Sequence, residues 1–434
     1  MNRRSATRDI PSGESDDERL GIHCGGEMAK TGVVRVRQSQ TLVQVADSVA
    51  GVESMRDAWQ AAGVSHFESD IDYFLTVVRY STSVIRPHVV RVSRPGRPDM
   101  FGIARVENRP VDLKIGARTV SQPTVRTVLV TLGGIVGAET PAELELLLEE
   151  LGRPLRSGDA DALVMRRLDW DGLQCAVARR WAGPWRVRGQ VLERHWTADP
   201  PASLDDHLSA HSKSARSTMR RQDRQLRQKY GPALELRRFT DPEQTGDLLR
   251  DLEAIAEKTY QRDMGVGHRT CEVTKALTEL GLRRGWLRVW ILYVNHVPVA
   301  YWTGWLYAGT FGSGTTGYDV EYAKDRVGRY TMHRMIEDLA RDDDIRVLDL
   351  GQGDHGYKKA FRPRQVREAD VIVVARRPRA VALGVRISLH AFVNNVGRTA
   401  AMRSSSARKL VSSWPGGASW VAKMERRRLA SELK

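Results

Sequence analysis

Asp354, His355, Tyr357, Lys358 and Lys359 crowd into one short run, just after a strand candidate at 346–350. A carboxylate, an imidazole and a phenol held together can take a proton from one reacting group and return it to another. Asp354 and His355 are therefore candidate bases, Tyr357 a candidate acid, and Lys358 a cation for an anionic substrate group. Upstream, Arg326, Val327, Gly328, Arg329, Tyr330 and Thr331 lie where a strand candidate at 310–318 gives way to a helix starting near Gly328. Backbone amides at a helix N-terminus, flanked by arginines, make a phosphate cradle. Lys213, Arg216, Arg220, Arg224 and Arg227 recur at steps of three or four and so share one helix face. That basic stripe, with Arg216 and Arg220 as its substrate-facing pair, suits phosphates of a cofactor, an RNA or a lipid-linked substrate. A solvated helix face, a plain turn and a polar loop are the ordinary readings of these three features.

Other chemistries are excluded. Gly351, Gly353 and Gly356 spell GxGxxG after a strand, the pattern of a dinucleotide pyrophosphate loop. Pro363 ends the following helix after about two turns, and too little chain remains for repeated βαβ units. The glycines instead let the chain turn tightly and approach a ligand. His207 and His211 have metal-ligand spacing, but Leu208 stands where a zinc protease needs its glutamate, so they read as a surface pair. There is neither a GxSxG elbow nor a Walker A loop. Cys24, Cys175 and Cys271 are far apart without CxxC spacing, which argues against disulfides and zinc and for a reducing cytoplasm. No metal is expected.

The elements that must position these groups follow from periodicity. With 434 residues, 41% apolar and 28% charged, the chain has the composition of two or three folded domains. The longest uncharged apolar stretch, 128–138, has 11 residues, against about 20 for a membrane-spanning helix. Arg3, Arg4 and Arg8 precede no apolar core, so export by a signal peptide is not expected. Residues 1–32 read as a disordered leader. A first unit at 33–200 holds helical spacing over 43–62, strands at 88–92 and 100–106, a buried run at 128–136, a helix at 141–151 and further elements near 162–167 and 174–178. A second unit at 201–378 opens on Ser203 as a cap, with helical spacing from Leu204 to about Tyr230. Strand 234–238, helix 242–258, a polar loop, and a helix at 273–281 follow. Three meander strands at 287–294, 298–307 and 310–318 then lead to helix 328–341, strand 346–350, short helix 356–361 and strand 370–375. Residues 379–434 form a basic helical tail.

The block Asp349 to Phe361, with Asp349, Gly351, Gly353, Tyr357, Lys358 and Phe361, resembles the DxGxGxxxYKxxF-like block of CelD-like acyltransferases, members of the GNAT superfamily. Ser212 to Arg221 is similar to that family's "SKxxRxxxRR" helix, and the two stand in the right order. The resemblance covers about 203–377, and 33–200 looks more loosely like a degenerate N-terminal repeat. It implies an α/β (α+β) fold of tandem GNAT-like domains, each a mixed, mostly antiparallel sheet flanked by helices, with a C-terminal helical extension. It also implies acyl transfer from an acyl-coenzyme A thioester to an amine or hydroxyl, with the pyrophosphate on Arg326 to Thr331. The sequence departs from the family loop, since Asp325 and Tyr330 occupy its first and last positions. The related Fem peptidyltransferases share the doubled fold and use aminoacyl-tRNA.

The expected activity is an acyl-CoA-dependent N- or O-acyltransferase acting on a small-molecule, glycan or lipid-linked acceptor, as in envelope or exopolysaccharide precursors. A Fem-like aminoacyl-tRNA ligase is the second expectation, which the net charge of +15 suits. A nucleic-acid-binding protein comes third, since no binding motif beyond the basic helix and Arg426 to Arg428 supports it. Trp414, Trp420, Val421 and Met424 among basic neighbours give the tail a means of peripheral membrane contact.

Overall fold

The fold is that of a computed structural model describing residues 32–35, 41–111, 113–115, 118–183, 187–188, 192–259, 267–353 and 356–403. Asp354 and His355 lie outside the described residues, as do the leader apart from Gly32, most of the 261–269 loop, and the tail beyond 403. The first half runs β1 (Gly32–Arg35), β2 (Leu42–Ala46), α1 (Val49–Glu53), α2 (Arg56–Ala62), α3 (Ile71–Tyr80), β3 (Val84–Arg94), β4 (Arg97–Pro110), β5 (Leu113–Ile115), β6 (Arg118–Ser121), β7 (Thr124–Val136), α4 (Pro141–Leu151), α5 (Arg153–Ser157), β8 (Ala162–Asp169), α6 (Leu173–Ala182), β9 (Val187–Arg188) and β10 (Leu192–Ala198). The second half continues with α7 (Leu204–Ser209), α8 (Lys213–Tyr230), β11 (Leu234–Phe239), α9 (Thr245–Glu257), α10 (Glu272–Arg283), β12 (Leu287–Val294), β13 (Val297–Tyr307), β14 (Thr310–Tyr318), α11 (Val327–Leu339), β15 (Val347–Gln352), β16 (Arg364–Val374) and α12 (Pro378–Arg403).

One large mixed sheet runs through both halves in the order β1-β2-β3-β4-β7-β8-β16-β10-β15-β14-β13-β12-β11. The two halves exchange strands: β10, from the first, lies between β16 and β15, while β16, from the second, pairs with β8. Most neighbours are antiparallel. The exceptions are β7 with β8 and β14 with β15, which run parallel and pair over only a few residues before parting. Helices cover both faces, so β12 is buried at seven of its eight positions and reads as a continuous apolar run rather than an alternating one. In the second half α11 packs Met335, Ile336 and Leu339 against Trp290, Leu348 and Leu350 on one face. On the other, α9 and α10 pack Leu248, Leu252, Ile255 and Leu282 against Val289, Ile291 and Tyr293.

Local chemistry sets the boundaries. The β12–β13 turn places Asn295 and His296 at φ of 50° and 63°, the conformation of a tight hairpin whose twist matches its strands. Ser203 and Ser212 accept N–H bonds from Asp206 and Ala215, so each starts its own helix. The single helix expected from Leu204 to Tyr230 is therefore two, broken at 210–212. The helical spacing expected over 43–62 is likewise divided: β2 comes first, Asp47 ends it, and Ser48 caps α1 by accepting from Gly51 N–H at 3.1 Å. Alternate burial on a strand and every-fourth burial on a helix coincide over so short a stretch.

Candidate active site

The parting of β14 from β15 opens a cleft of about 480 Å3. Pairing holds over Thr310–Gly312 and Val347–Asp349. Beyond it β14 bulges, with Trp302 of β13 opposite Thr316 but Gly304 opposite Ser313. Thr303 fixes the bulge: its Oγ1 accepts from Thr315 N–H at 2.8 Å and donates to Thr315 O at 3.1 Å. Thr316, Gly317 and Tyr318 form one wall, the start of α11 a second, and His207, His211 and Tyr357 a third.

The start of α11 divides the expected cradle. Arg326, Val327, Gly328 and Arg329 line the cleft. Arg326 has φ of 60°, a left-handed conformation that side chains rarely adopt and that recurs at ligand sites. Its guanidinium is exposed, without an ion-pair partner among the described residues. The N–H groups of Arg329 and Tyr330 bond to Arg326 O, whereas those of Val327 and Gly328 have no partner among the described residues and are left for an anion. Tyr330 and Thr331 do not join them. Tyr330 is buried, with its OH accepting from Arg227 Nε at 3.2 Å, and the fully buried Thr331 donates to Val327 O at 2.9 Å. Successive helix positions turn by about 100°, which takes these two residues away from the cleft and into the packing of α8 and α11. Asp325 is held below the ordinary carboxylate pKa by hydrogen bonds from Lys229 and Tyr230, so it anchors α8 rather than contacting a phosphate.

Tyr357 lines the cleft, its ring edge-on to Trp302 at 6.1 Å, and burial raises its pKa so that the phenol keeps its proton. Lys358 does not face substrate space. It is 2% exposed and donates to Gly351 O at 3.1 Å and Gln352 O at 2.8 Å. It thereby closes the turn in which Gly351 and Gly353 take φ of 71° and 94°, as the tight-turn reading of these glycines expects. Neither Arg216 nor Arg220 lines the cleft, and Arg220 pairs with Asp205 at 2.7 Å. From α8 the cleft takes Met219 instead.

Three histidines the sequence reading set aside or passed over meet here. His207 is 3% exposed rather than on the surface, packs on Phe361 at 4.3 Å between ring centres, and has an Nδ1 with no hydrogen-bond partner among the described residues. Burial, with His333 and His211 nearby, lowers its pKa to about 4. His333 of α11 is 1% exposed and its Nδ1 lies 2.7 Å from Asp223 Oδ2 of α8. A carboxylate only accepts, so Nδ1 carries a ring proton, and in the neutral ring Nε2 is the nitrogen with the lone pair. His333 and Asp223 are 110 residues apart, and a lone histidine in an apolar helix pattern reads as core. Among the described residues no group of three or more His, Cys, Asp or Glu side chains comes together as a metal site.

Residues 213–359 match the family model described as acetyltransferase (GNAT) domain. This segment is therefore similar to GNAT acetyltransferase domains. It contains α8, the bulged β14, the α11 cradle and Tyr357, hence most of the cleft. Among solved structures the chain is similar to FemX, at 10% identity over 77% of this chain and 98% of that one, with a TM-score of 0.53. It is also similar to a tandem GNAT protein from the clavulanic acid biosynthesis pathway, at 12% identity over 77% and 99% and a TM-score of 0.45. L-PGS from Bacillus licheniformis matches at 10% identity over 75% and 98%, with a TM-score of 0.41. At 10% identity the likeness to FemX is one of fold: the mixed α/β fold with a large sheet flanked by helices. No curated protein matches the sequence. Among the described residues no helix is long and apolar enough to cross a membrane.

Proposed function

We propose that the chain is an N- or O-acyltransferase that takes an acyl group from an acyl-CoA thioester at the α11 cleft. The supporting observation is the joining, on one cleft, of two amides unpartnered among the described residues and an exposed arginine at a helix N-terminus with a half-buried phenol and a carboxylate-oriented imidazole. The residues fit a coenzyme pyrophosphate: Arg326 and the amides of Val327 and Gly328 would hold it. Gly328 leaves the approach open, since a Cβ there would stand 3.1 Å from Tyr318 Cδ1. When bound, the coenzyme supplies an activated carbonyl. The chain orients an acceptor, takes its proton on His333 Nε2, and donates one from Tyr357 to the departing thiolate. Asp354 and His355 adjoin this cleft in sequence and remain candidates for the same proton. The likeness of 349–361 and 212–221 to CelD-like acyltransferases favours an acceptor of envelope or exopolysaccharide type.

A donor carried on aminoacyl-tRNA is a second reading. Lys213, Arg221 and Arg224 are exposed and, with half-buried Arg216, have no ion-pair partner among the described residues, which suits a polyanion beside the cleft.

Calorimetry with acetyl-CoA and a longer acyl-CoA tests the first reading, with Gly328→Trp filling the cleft as control. Micromolar binding abolished by the substitution is expected. Binding of neither thioester, with salt-dependent retention of aminoacyl-tRNA, would replace it with the second.

A further inference from the structure

The first half repeats, in different residues, the geometry that opens the cleft in the second. β7 runs parallel to β8 over Thr127–Val130 and Ala162–Met165, and the two then part. At the parting β7 bulges: Gly102 of β4 faces Ile135 while Ala104 faces Val130, so residues 131–134 stand out of the ladder. Opposite them β8 is distorted too. Arg167 sits at φ of 54°, held there by its N–H donating to Asp370 Oδ1 at 2.9 Å. A non-glycine residue in that region is strained and persists where the surroundings require it. Between the two distortions lies a cleft of about 270 Å3, whose lining includes His66, Gly133, Gly134, Arg166, Asp169 and Glu368. Gly134 lets the bulge fold back closely, since a Cβ there would fall 2.7 Å from Ile103 O.

Two donors on residues that line this cleft have no acceptor among the described residues. Arg166 pairs one terminal nitrogen with Glu68, but its buried Nε has no partner among the described residues. His66 Nδ1 accepts Glu68 N–H at 3.1 Å, which leaves the ring proton on Nε2. Burial lowers the pKa of this ring and keeps it neutral. Asp169 and Glu368 disfavour a multiply charged anion, and the volume excludes a coenzyme. We propose that the first-half cleft is a second binding site, for a small ligand bearing one carboxylate, received by Arg166 Nε and His66 Nε2–H beside the bulge of β7.

The carboxylate could belong to a free metabolite or to the acceptor of acyl transfer, and the test separates them. Ligand-observed NMR with N-acetylglycine and N-acetylglycinamide compares the acid with its neutral twin on the full chain. The acid is expected to bind at least tenfold more tightly. His66→Asn keeps an acceptor for Glu68 N–H while removing the Nε2 donor, and Arg166→Lys keeps charge while removing Nε. Each is expected to weaken acid binding at least fivefold with acyl-CoA binding intact. If Arg166→Lys unfolds through loss of its Glu68 pair, His66→Asn carries the test. Gly328→Trp is expected to leave acid binding unchanged, which keeps the result independent of the second-half cleft. Equal binding of acid and amide, wild-type binding in His66→Asn, or loss in Gly328→Trp would overturn the proposal. Inhibition of thiol release by N-acetylglycine that added acceptor relieves would assign the carboxylate to the acceptor. Binding without such competition would assign it to a free metabolite.

Discussion

Asp223 decides which nitrogen of His333 holds the proton, so Asp223→Asn tests the pair without emptying the space. General acid–base groups contribute roughly 10²–10⁴-fold, and we expect thiol release from acyl-CoA, assayed across a panel of amine and hydroxyl acceptors, to fall about a hundredfold. The affinity for acyl-CoA should move less than twofold; a parallel loss of affinity would make the pair structural. Tyr357 and Lys358 are neighbours with opposite predicted outcomes. Tyr357→Phe should slow thiol release about tenfold or more at unchanged stability. Lys358→Met should cost about 1–3 kcal/mol in urea unfolding, because it removes the buried ammonium that satisfies two half-buried carbonyls. A soluble, stable Lys358→Met with lost turnover would return Lys358 to the substrate side. Tyr357 and Arg326 to Arg329 were legible because their types and order were unusual in one short stretch. The orientation of Lys358, Tyr330 and Thr331 was not, since it depends on which way a turn and a helix rotate. The His333–Asp223 pair was hidden because its members belong to different helices.

At the scale of elements, the bulge of β14 shapes one wall of the cleft, and Thr303 is what pins it. Thr303→Val keeps the shape of the side chain but leaves Thr315 N–H without its acceptor. We expect a loss of about 1–3 kcal/mol of stability together with several-fold weaker acyl-CoA binding by calorimetry. Lost stability at unchanged affinity would separate the bulge from the ligand. The meander strands, their Asn295–His296 turn and the α11 start were readable, since apolar runs broken by turn residues have few other interpretations. The bulges were not, because the register of one strand against another is decided by its partner. The same holds for the break at 210–212, which brings His211 to the cleft: a serine cap inside a polar helical stretch competes with continuation by only about 1 kcal/mol.

Across the whole molecule, the strand exchange gathers a polar cluster from both halves. His195 of β10 reaches Asp349 of β15 at 2.8 Å and Glu368 of β16 at 3.2 Å, and Arg167 of β8 lies 3.1 Å from Glu368. Burial, and the Arg167 guanidinium 2.6 Å from Nδ1, would lower the His195 pKa, but the hydrogen bonds to Asp349 and Glu368 prevail and raise it. Burial would raise both carboxylates, yet His195 and Arg167 hold them below their ordinary values. The raised imidazole stabilises the fold fully below its unfolded pKa of about 6.5, and that share is lost as pH rises through the folded value. The carboxylates contribute above their unfolded values, near 4, and lose their share as pH falls through the depressed ones. His88 and His207, both lowered to about 4 by burial, act in the opposite sense and weaken the whole chain between pH 6.5 and 4. The diagnostic quantity is thus the difference between wild type and His195→Gln in urea unfolding. It should be about 1.5–3 kcal/mol near pH 6 and shrink as pH rises through the folded His195 pKa; a difference constant from pH 5 to 9 would refute the charged imidazole. The mixed α/β plan was legible from element order, and the exchange was not, because nothing in 192–198 or 364–374 distinguishes a strand that stays home from one that crosses.

That crossing also sets a timetable for synthesis. β8 leaves the ribosome roughly 200 residues ahead of β16, its neighbour in the finished sheet, which at about 5–20 residues per second is on the order of 10–40 s. During that interval the nascent first half presents the apolar edge of β8 with nothing to pair it, and β10 waits for the strands that will flank it on either side. Until β16 is made, the emerging chain is therefore open to pairing that edge with another chain.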